Sequence, residues 1–281
     1  MNLKKTLFIS VLTITLLFGV TSIIAHDFWL IPEIFSVASG KGLHVYANNG
    51  SIFPESLNAV APERISYSKM VGKDRTIDIT SMHVIDNSLA FDVKPPSDGQ
   101  WYVGVEVKPN RIDMTGEEFN EYLVHDGLPA ILELRKERDE LEKPARELYQ
   151  KSAKTLIQSG NGGPKVWDMV LGHNIEFIPM SDPADLKEGS RLRLKLLFKG
   201  EPLANAVVAA GFAGAEGHMH EETGVEHSHS GEYKTDSHGY VYVMISEHGK
   251  WYVRTTHMVE ETENDEYDWH SFWATLTFEV K

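Results

Sequence analysis

The chain has 281 residues, a formal net charge of −14 and no cysteine. Without cysteine an exported chain has neither disulfide bonds nor thiolate metal sites, so a metal ion must bind histidine, carboxylate, methionine or backbone groups. The acidic charge argues against nucleic acid and anionic membranes as partners, and it favours cations.

Residues 1–25 have the pattern of a secretory signal peptide. Lys4 and Lys5 precede an apolar run from Leu7 to Ile24, and the small residue Ala25 ends the segment. An uncleaved anchor is the alternative, because the run is nearly long enough to span a bilayer. Cleavage after Ala25 would give a periplasmic or secreted protein, peripheral to the membrane at most.

Cleavage at this position would make His26 the N-terminal residue. Its free amine and imidazole could then chelate a transition metal together, which is half of a histidine brace. The alternative is an ordinary chain terminus with a hydrogen-bonded histidine.

Residues 26–112 are predicted to form an N-terminal β-sandwich. Short runs of alternating apolar and polar residues are separated by Gly, Pro, Asn and Asp, which is typical of antiparallel strands. The predicted strands are Leu43–Tyr46, Arg64–Tyr67, Thr76–Ile79, Leu89–Val93 and Trp101–Val107.

Residues 113–163 are predicted to be a helical connector. Thr115 and Glu118 have the spacing of a capping box, and Pro129 is a suitable first residue for a second helix. Apolar residues at steps of three and four after Pro144 predict a third helix. The glycine-rich stretch 159–164 then predicts a loop.

Residues 164–281 are predicted to form a Greek-key β-sandwich. Strands are expected at Arg191–Phe198, Ala206–Ala210, Gly239–Met244, Trp251–Thr256 and Phe272–Val280. Together the segments predict a mainly β fold, with two antiparallel β-sandwich domains joined by a helical segment. The sequence Gly99-Gln100-Trp101-Tyr102-Val103 is echoed by Gly249-Lys250-Trp251-Tyr252-Val253, so both tryptophans are predicted core residues.

The segment 216–231 is the strongest candidate metal site. It contains two His-x-His pairs, with four glutamates beside them, among the chain's 13 histidines. In an extended segment the two rings of a His-x-His pair lie on the same side, and imidazole suits zinc, copper, nickel and cobalt. The alternative is a solvated loop that binds metal only adventitiously. The candidate ligands are His218, His220, His227 and His229.

Other histidines are weaker candidates. His257 follows a predicted strand and could be a ligand or an ordinary surface residue. His270 is predicted to be a partly buried structural residue. The remaining histidines show no ligand spacing and are predicted to be structural: His44, His83, His125, His173, His238 and His248.

Several motifs resemble known families. The stretch from Gly200 to Val207, with Thr235–Gly239 and Gly249–Val253, is similar to sandwiches of the transthyretin or carboxypeptidase-regulatory type. The start His26–Pro32, the middle Phe119–Leu123 and the end Trp269–Phe278 resemble an exported bacterial domain-of-unknown-function family, often labelled as the periplasmic component of nickel or cobalt uptake. This resemblance implies export, a β-rich fold and an association with metal uptake.

These observations favour a non-enzymatic exported protein that captures nickel or cobalt, with copper or zinc as further possibilities, for a membrane transporter. We find no catalytic motif such as Gly-x-Ser-x-Gly or His-Glu-x-x-His. One alternative is a copper oxygenase built on a His26 brace. Another is an extracytoplasmic adhesion or glycan-binding sandwich without metal.

Overall fold

The computed structural model describes residues 26–215, 218–219, 226–227 and 230–281. The predicted signal peptide, His220 and His229 lie outside the described residues. Within the described ranges the chain is mainly β, as predicted, and none of its helices combines the length and apolarity needed to cross a bilayer.

The N-terminal part of the chain is a succession of short strands. The five strands predicted there are confirmed as β3, β4, β5, β7 and β8, and they are joined by others that the alternation did not indicate. The full set is β1 (Asp27–Pro32), β2 (Ser36–Val37), β3 (Leu43–Gly50), β4 (Ile65–Val71), β5 (Thr76–Asp78), β6 (Met82–Ile85), β7 (Ser88–Val93), β8 (Gly99–Val107) and β9 (Asn110–Met114).

Two helices follow, α1 (Gly116–His125) and α2 (Pro129–Glu137). The predicted capping box is confirmed. The Thr115 hydroxyl accepts a hydrogen bond from the Glu118 N–H at 3.3 Å, and Glu118 Oε2 accepts one from the Thr115 N–H at 2.8 Å. The second helix begins at Pro129, also as predicted. Proline suits this position because the backbone N–H that it lacks has no partner within the first turn of a helix.

The C-terminal part returns to strands, and the five predicted there are confirmed as β12, β14, β18, β19 and β20. The full set is β10 (Ala145–Ser159), β11 (Ile175–Pro179), β12 (Arg191–Phe198), β13 (Glu201–Pro202), β14 (Val207–Phe212), β15 (His218–Met219), β16 (Glu226–His227), β17 (Gly231–Lys234), β18 (Tyr240–Met244), β19 (Gly249–Glu260) and β20 (Trp269–Val280).

The helix predicted after Pro144 is wrong, because this segment is the 15-residue strand β10. It lies inside a sheet, parallel to β20 on one side and antiparallel to β8 and β9 on the other. Residues 151–157 are all buried, so apolar and polar positions do not alternate as they would in a half-exposed strand. Tertiary packing therefore overrides the helical spacing of the apolar residues.

Three sheets form the body of the described chain. The first sheet has the order β1-β3-β7-β6, and the third sheet joins β11, β12, β13 and β18. The central sheet has the order β17-β14-β19-β20-β10-β8-β4-β5, with β2 and β9 paired to β10. Its strands come from all three predicted segments, so the two sandwiches share one sheet.

The two faces of the central sheet carry different cores. One face packs Trp101, Val103 and Ile157 against Leu30, Val45 and other residues of the first sheet. The opposite face packs Tyr102, Leu156 and Leu276 against the third sheet. Alternation along each strand sends neighbouring residues to these two cores, so the sheet serves as the common layer of both sandwiches.

The two echoed motifs adopt the same local structure on β8 and β19, two interior strands of the central sheet. Gly99 and Gly249 have positive φ angles of 126° and 111°, which only glycine tolerates easily. The indole N–H groups of Trp101 and Trp251 each donate to the carbonyl four residues earlier, at 3.1 Å and 2.9 Å. Both tryptophans are buried, as predicted, but in opposite cores.

Candidate metal-binding sites

His26 lies immediately before β1 and is half-buried. Its carbonyl oxygen accepts a hydrogen bond from the Lys151 ammonium group of β10. Burial, together with the nearby Lys151 charge, lowers the pKa of the His26 imidazole. The ring is therefore neutral at neutral pH, which is the form that binds metal.

The residue after His26 is fixed by a buried ion-pair network. Arg254 of β19 lies 3.1 Å from a carboxylate oxygen of Asp27 and 3.1 Å from one of Asp126. Burial raises the pKa of Asp27, and the Arg254 charge opposes this effect. The network anchors the start of β1 to the central sheet, so the backbone next to His26 is held in place.

His257 lies within β19 in a largely apolar environment. Its ring packs edge-on to Phe198 with the ring centroids 4.5 Å apart, and its cross-strand partner is Phe272. Burial, with a contribution from Lys199, lowers its pKa.

His26 and His257 lie on opposite sides of the central sheet. Lys151, Trp273 and Thr256 are cross-strand partners and share one face. Lys151 contacts His26 from this face, whereas His257 follows Thr256 and so points to the other face. These two histidines therefore do not form the two halves of a brace.

The described part of the His-rich segment is a two-stranded hairpin. β15 and β16 pair antiparallel, with His218 directly opposite His227 and Met219 opposite Glu226. The backbone thus brings one member of each predicted His-x-His pair to the same level of the hairpin.

A cluster on the first sheet was missed by sequence reasoning. His44 on β3, His83 on β6 and Asp92 on β7 bring their ligand atoms within 4.8 Å of one another. His44 Nε2 is 3.2 Å from Asp92 Oδ1, and His83 Nδ1 is 3.8 Å from Asp92 Oδ2. We call these three residues the first-sheet cluster. His44 and His83 were predicted to be structural, a prediction based on spacing along the sequence alone.

A second group in the described ranges, Glu188, Glu247 and His248, also meets the 4.8 Å distance. All three are exposed and lie in turns. Exposed acidic groups of this kind repel one another and commonly occur without a bound ion, so this group is the weaker candidate.

The signal for the first-sheet cluster was only half present in the sequence. Alternation in Leu43–Tyr46 and Leu89–Val93 places His44 and Asp92 on the solvent side of their strands. Which strands are neighbours, and in which register, is not written in that alternation. The cluster therefore required the structure.

The described fold and its histidine clusters define a mainly β, sandwich-type protein with candidate sites for divalent metal ions. The sequence profile of the DUF4198 family, a domain of unknown function, matches residues 23–259. The chain belongs to this family. No functionally curated protein sequence matches the chain.

Solved structures with some similarity include adhesins and immunoglobulin-type ectodomains. The D0-D1 domain of intimin is 11% identical over 90% of this chain and 98% of its own, with a TM-score of 0.20. The FdeC adhesin of Escherichia coli is 13% identical over 92% of this chain and 64% of its own, with a TM-score of 0.23. The ectodomain of mouse nectin-like molecule 4 is 10% identical over 91% and 64%, with a TM-score of 0.21.

TM-scores near 0.2 carry no inference about function. The DUF4198 description names no metal, so the association with nickel or cobalt uptake and the transthyretin-type resemblance stay predictions.

Proposed function

We propose that the protein is an exported, non-enzymatic binding protein that captures a divalent transition-metal ion, nickel or cobalt in the first instance, for a membrane transporter. The observation that carries this proposal is the hairpin register, which places His218 opposite His227. Residues directly opposite in an antiparallel pair have Cβ atoms about 5 Å apart. One imidazole from each His-x-His pair could then bind the same ion.

The acidic composition supports this proposal, because a net charge of −14 raises the local concentration of cations. Metal must compete with protons for imidazole, so binding should weaken below about pH 6. The free amine and the neutral ring of His26 would form a separate chelate after cleavage, anchored to the central sheet.

Calorimetric titration with nickel, cobalt, copper and zinc tests the proposal. The chain starting at His26 is compared with a variant, called the loop variant, in which His218, His220, His227 and His229 are all alanine. We expect the parent to bind metal with micromolar or tighter affinity. The loop variant should bind no metal, or at least one ion fewer than the parent. Equal stoichiometry and affinity in both proteins would contradict it. His238→Ala, at an exposed turn position, is the matched control.

A second candidate function is adhesion through an acidic glycan, and a surface of the third sheet favours it. Arg193 stacks over the Tyr240 ring at 3.9 Å, and Arg191 lies over the Tyr242 ring at 5.0 Å. Tyr242 is 45% exposed. Aromatic rings beside cations are a suitable surface for anionic sugars. Binding to an acidic polysaccharide that is lost in Arg191→Ala, with the loop variant unaffected, would favour this function over metal capture.

A further inference from the structure

We propose that His44, His83 and Asp92 form a divalent transition-metal site on the outer face of the first sheet, separate from the His-rich segment. Two imidazoles and one carboxylate converge there from three adjacent strands. This site does not depend on the loop histidines, so either one can exist without the other.

The register of the sheet builds the site. His44 on β3 and Asp92 on β7 are direct cross-strand partners. His83 on β6 is the cross-strand partner of Ala90, which lies two residues before Asp92 on β7. The core-facing residues of the same strands, such as Val45 and Phe91, are fully buried. The three ligands therefore share the opposite, solvent-facing side and are held by backbone hydrogen bonds on every strand.

The distances between the donor atoms suit a metal ion. With metal–ligand bonds of about 2.1 Å, tetrahedral geometry places donor atoms about 3.4 Å apart. The distance from His44 Nε2 to Asp92 Oδ1 is already 3.2 Å, and that from His83 Nδ1 to Asp92 Oδ2 is 3.8 Å. A small rotation of the side chains would close the site without moving the strands.

Simple hydrogen bonding accounts for only part of this arrangement. The His44–Asp92 distance allows a hydrogen bond, but 3.8 Å between His83 and Asp92 is too long for one. The two rings also form an edge-to-face contact, at 84° with centroids 5.7 Å apart. Both rings direct a nitrogen at one carboxylate, which is the arrangement that a shared cation needs.

Neighbouring hydroxyl groups orient two of the ligands. The Tyr46 hydroxyl lies 3.4 Å from His44 Nδ1, and the Ser81 hydroxyl donates a hydrogen bond to Asp92 Oδ2. If His44 Nδ1 is protonated and donates a hydrogen bond to the Tyr46 hydroxyl, then the lone pair on His44 Nε2 is free to bind the metal. The Ser81 contact leaves Asp92 Oδ1 free on the side that faces His44.

The chemistry of the ligands defines the class of ion. Two neutral imidazoles and one carboxylate suit zinc, nickel, cobalt, copper or ferrous iron rather than calcium or magnesium, which prefer oxygen ligands. The side chains of His44, His83 and Asp92 are 38%, 48% and 41% exposed. An ion held there would keep open coordination positions and exchange with solvent.

Cobalt titration of the loop variant with His26→Ala added tests this proposal, because both the loop histidines and the terminal chelate are then absent. Bound Co²⁺ reports its coordination through its visible absorption spectrum. We expect one cobalt ion with a nitrogen and oxygen spectrum, and an affinity at least about 10-fold lower after His83→Ala or Asp92→Asn. His238→Ala in the same background should change neither the affinity nor the spectrum.

Circular dichroism checks that each variant is folded, and Asp92→Asn keeps the shape of the side chain if an alanine variant is unstable. The proposal is overturned if the folded loop variant binds no cobalt, or if His44→Ala/His83→Ala leaves affinity and spectrum unchanged. These outcomes are distinct from failure of the loop site, which is seen as equal metal binding by the parent and the loop variant.

Discussion

The two histidine-bearing regions of this protein differ in how their ligands come together. In the hairpin, His218 and His227 are nine positions apart and become cross-strand partners through local pairing alone. In the first-sheet cluster, His44 and Asp92 are separated by several strands and meet only because β3 and β7 are neighbours. The pairing in the hairpin is local in sequence, whereas the cluster depends on the order of the strands in the sheet.

This difference has a functional consequence. The first sheet holds its ligands on strands whose inward-facing residues pack into a core, buried on β3 and β7 and partly buried at Met82 of β6, so an ion would bind to a largely preformed site. Preformed sites lose less entropy on binding and have fixed geometry. We therefore expect the first-sheet cluster to be sensitive to the integrity of the fold.

The largest expected effect tests this dependence on the fold. Arg254→Met would remove the arginine that pairs with the buried carboxylates of Asp27 and Asp126, although Asp126 keeps its 3.3 Å contact with His125. We expect the free energy of unfolding to fall by about 3–5 kcal/mol, because an unpaired buried charge is costly. Denaturant unfolding measures the loss, and cobalt binding by the first-sheet cluster should disappear at the same denaturant concentration as the fold.

The exposed Arg191 is the matched control for Arg254. Arg191→Met should change the free energy of unfolding by no more than about 0.5 kcal/mol. A loss below about 1 kcal/mol for Arg254→Met would contradict the anchoring role given to this network.

A third kind of histidine, buried and structural, sharpens the contrast with the ligand histidines. His173 is buried, packs edge-on to Tyr67 with centroids 5.1 Å apart, and desolvation lowers its pKa to about 4. The unfolded chain takes up this proton below about pH 6.5, whereas the folded chain does not until about pH 4. Stability should therefore fall by about 3 kcal/mol from this residue as the pH drops through that window.

His173→Asn should remove this part of the pH dependence, as measured by denaturant unfolding at pH 7 and pH 4. His238→Asn, at an exposed position, should leave the dependence as in the parent. If the His173 variant loses as much stability on acidification as the parent, then the buried neutral imidazole is not the cause.

Ser81→Ala probes the orientation of Asp92 within the first-sheet cluster. Loss of the hydroxyl that donates to Asp92 Oδ2 should weaken cobalt binding about 10-fold, the lower end of the effect of outer-shell partners. Isothermal titration of the loop variant with and without Ser81→Ala measures this change. Ser66→Ala, on β4 of the central sheet, is the control and should have no effect.

An effect of similar size to that of Ser81→Ala concerns the β6–β7 turn that sets the position of His83. Asp86 has a φ angle of 50°, a left-handed conformation that β-branched residues disfavour. Asp86→Val should cost about 1–2 kcal/mol of stability, whereas Asp86→Gly should be tolerated. Thermal unfolding measures both variants, and equal melting temperatures for Val and Gly would contradict the assignment of strain to this turn.

Local signals predicted much of the fold. Period-two alternation identified ten strands, and the Thr115–Glu118 spacing identified the start of α1. The prediction was wrong at β10, where burial on both faces removes the alternation of apolar and polar residues. Charged residues are also buried there, such as Lys154, whose ammonium group lies 2.7 Å from the Glu176 carboxylate. A buried charged residue in the middle of a sheet carries no local sign of its environment.

The candidate sites divide in the same way. The His-rich segment is visible because its ligands are close in sequence, and His26 is visible because of the predicted cleavage position. The spacing of His44 and His83 along the sequence shows no metal-binding pattern, and only the pairing order β3-β7-β6 brings them together. Strand order and register depend on contacts between residues far apart in the chain, so they cannot be read from local alternation alone.

Anomalous diffraction at the nickel or cobalt edge, from crystals of the metal-loaded chain starting at His26, tests most directly that the fold itself assembles a metal site. We predict an anomalous peak from a metal ion about 2.1 Å from His44 Nε2, with His83 and Asp92 as its other protein ligands. The peak should be present in the parent and in the loop variant. Anomalous peaks confined to other positions, with His44, His83 and Asp92 unbound at saturating metal, would contradict it.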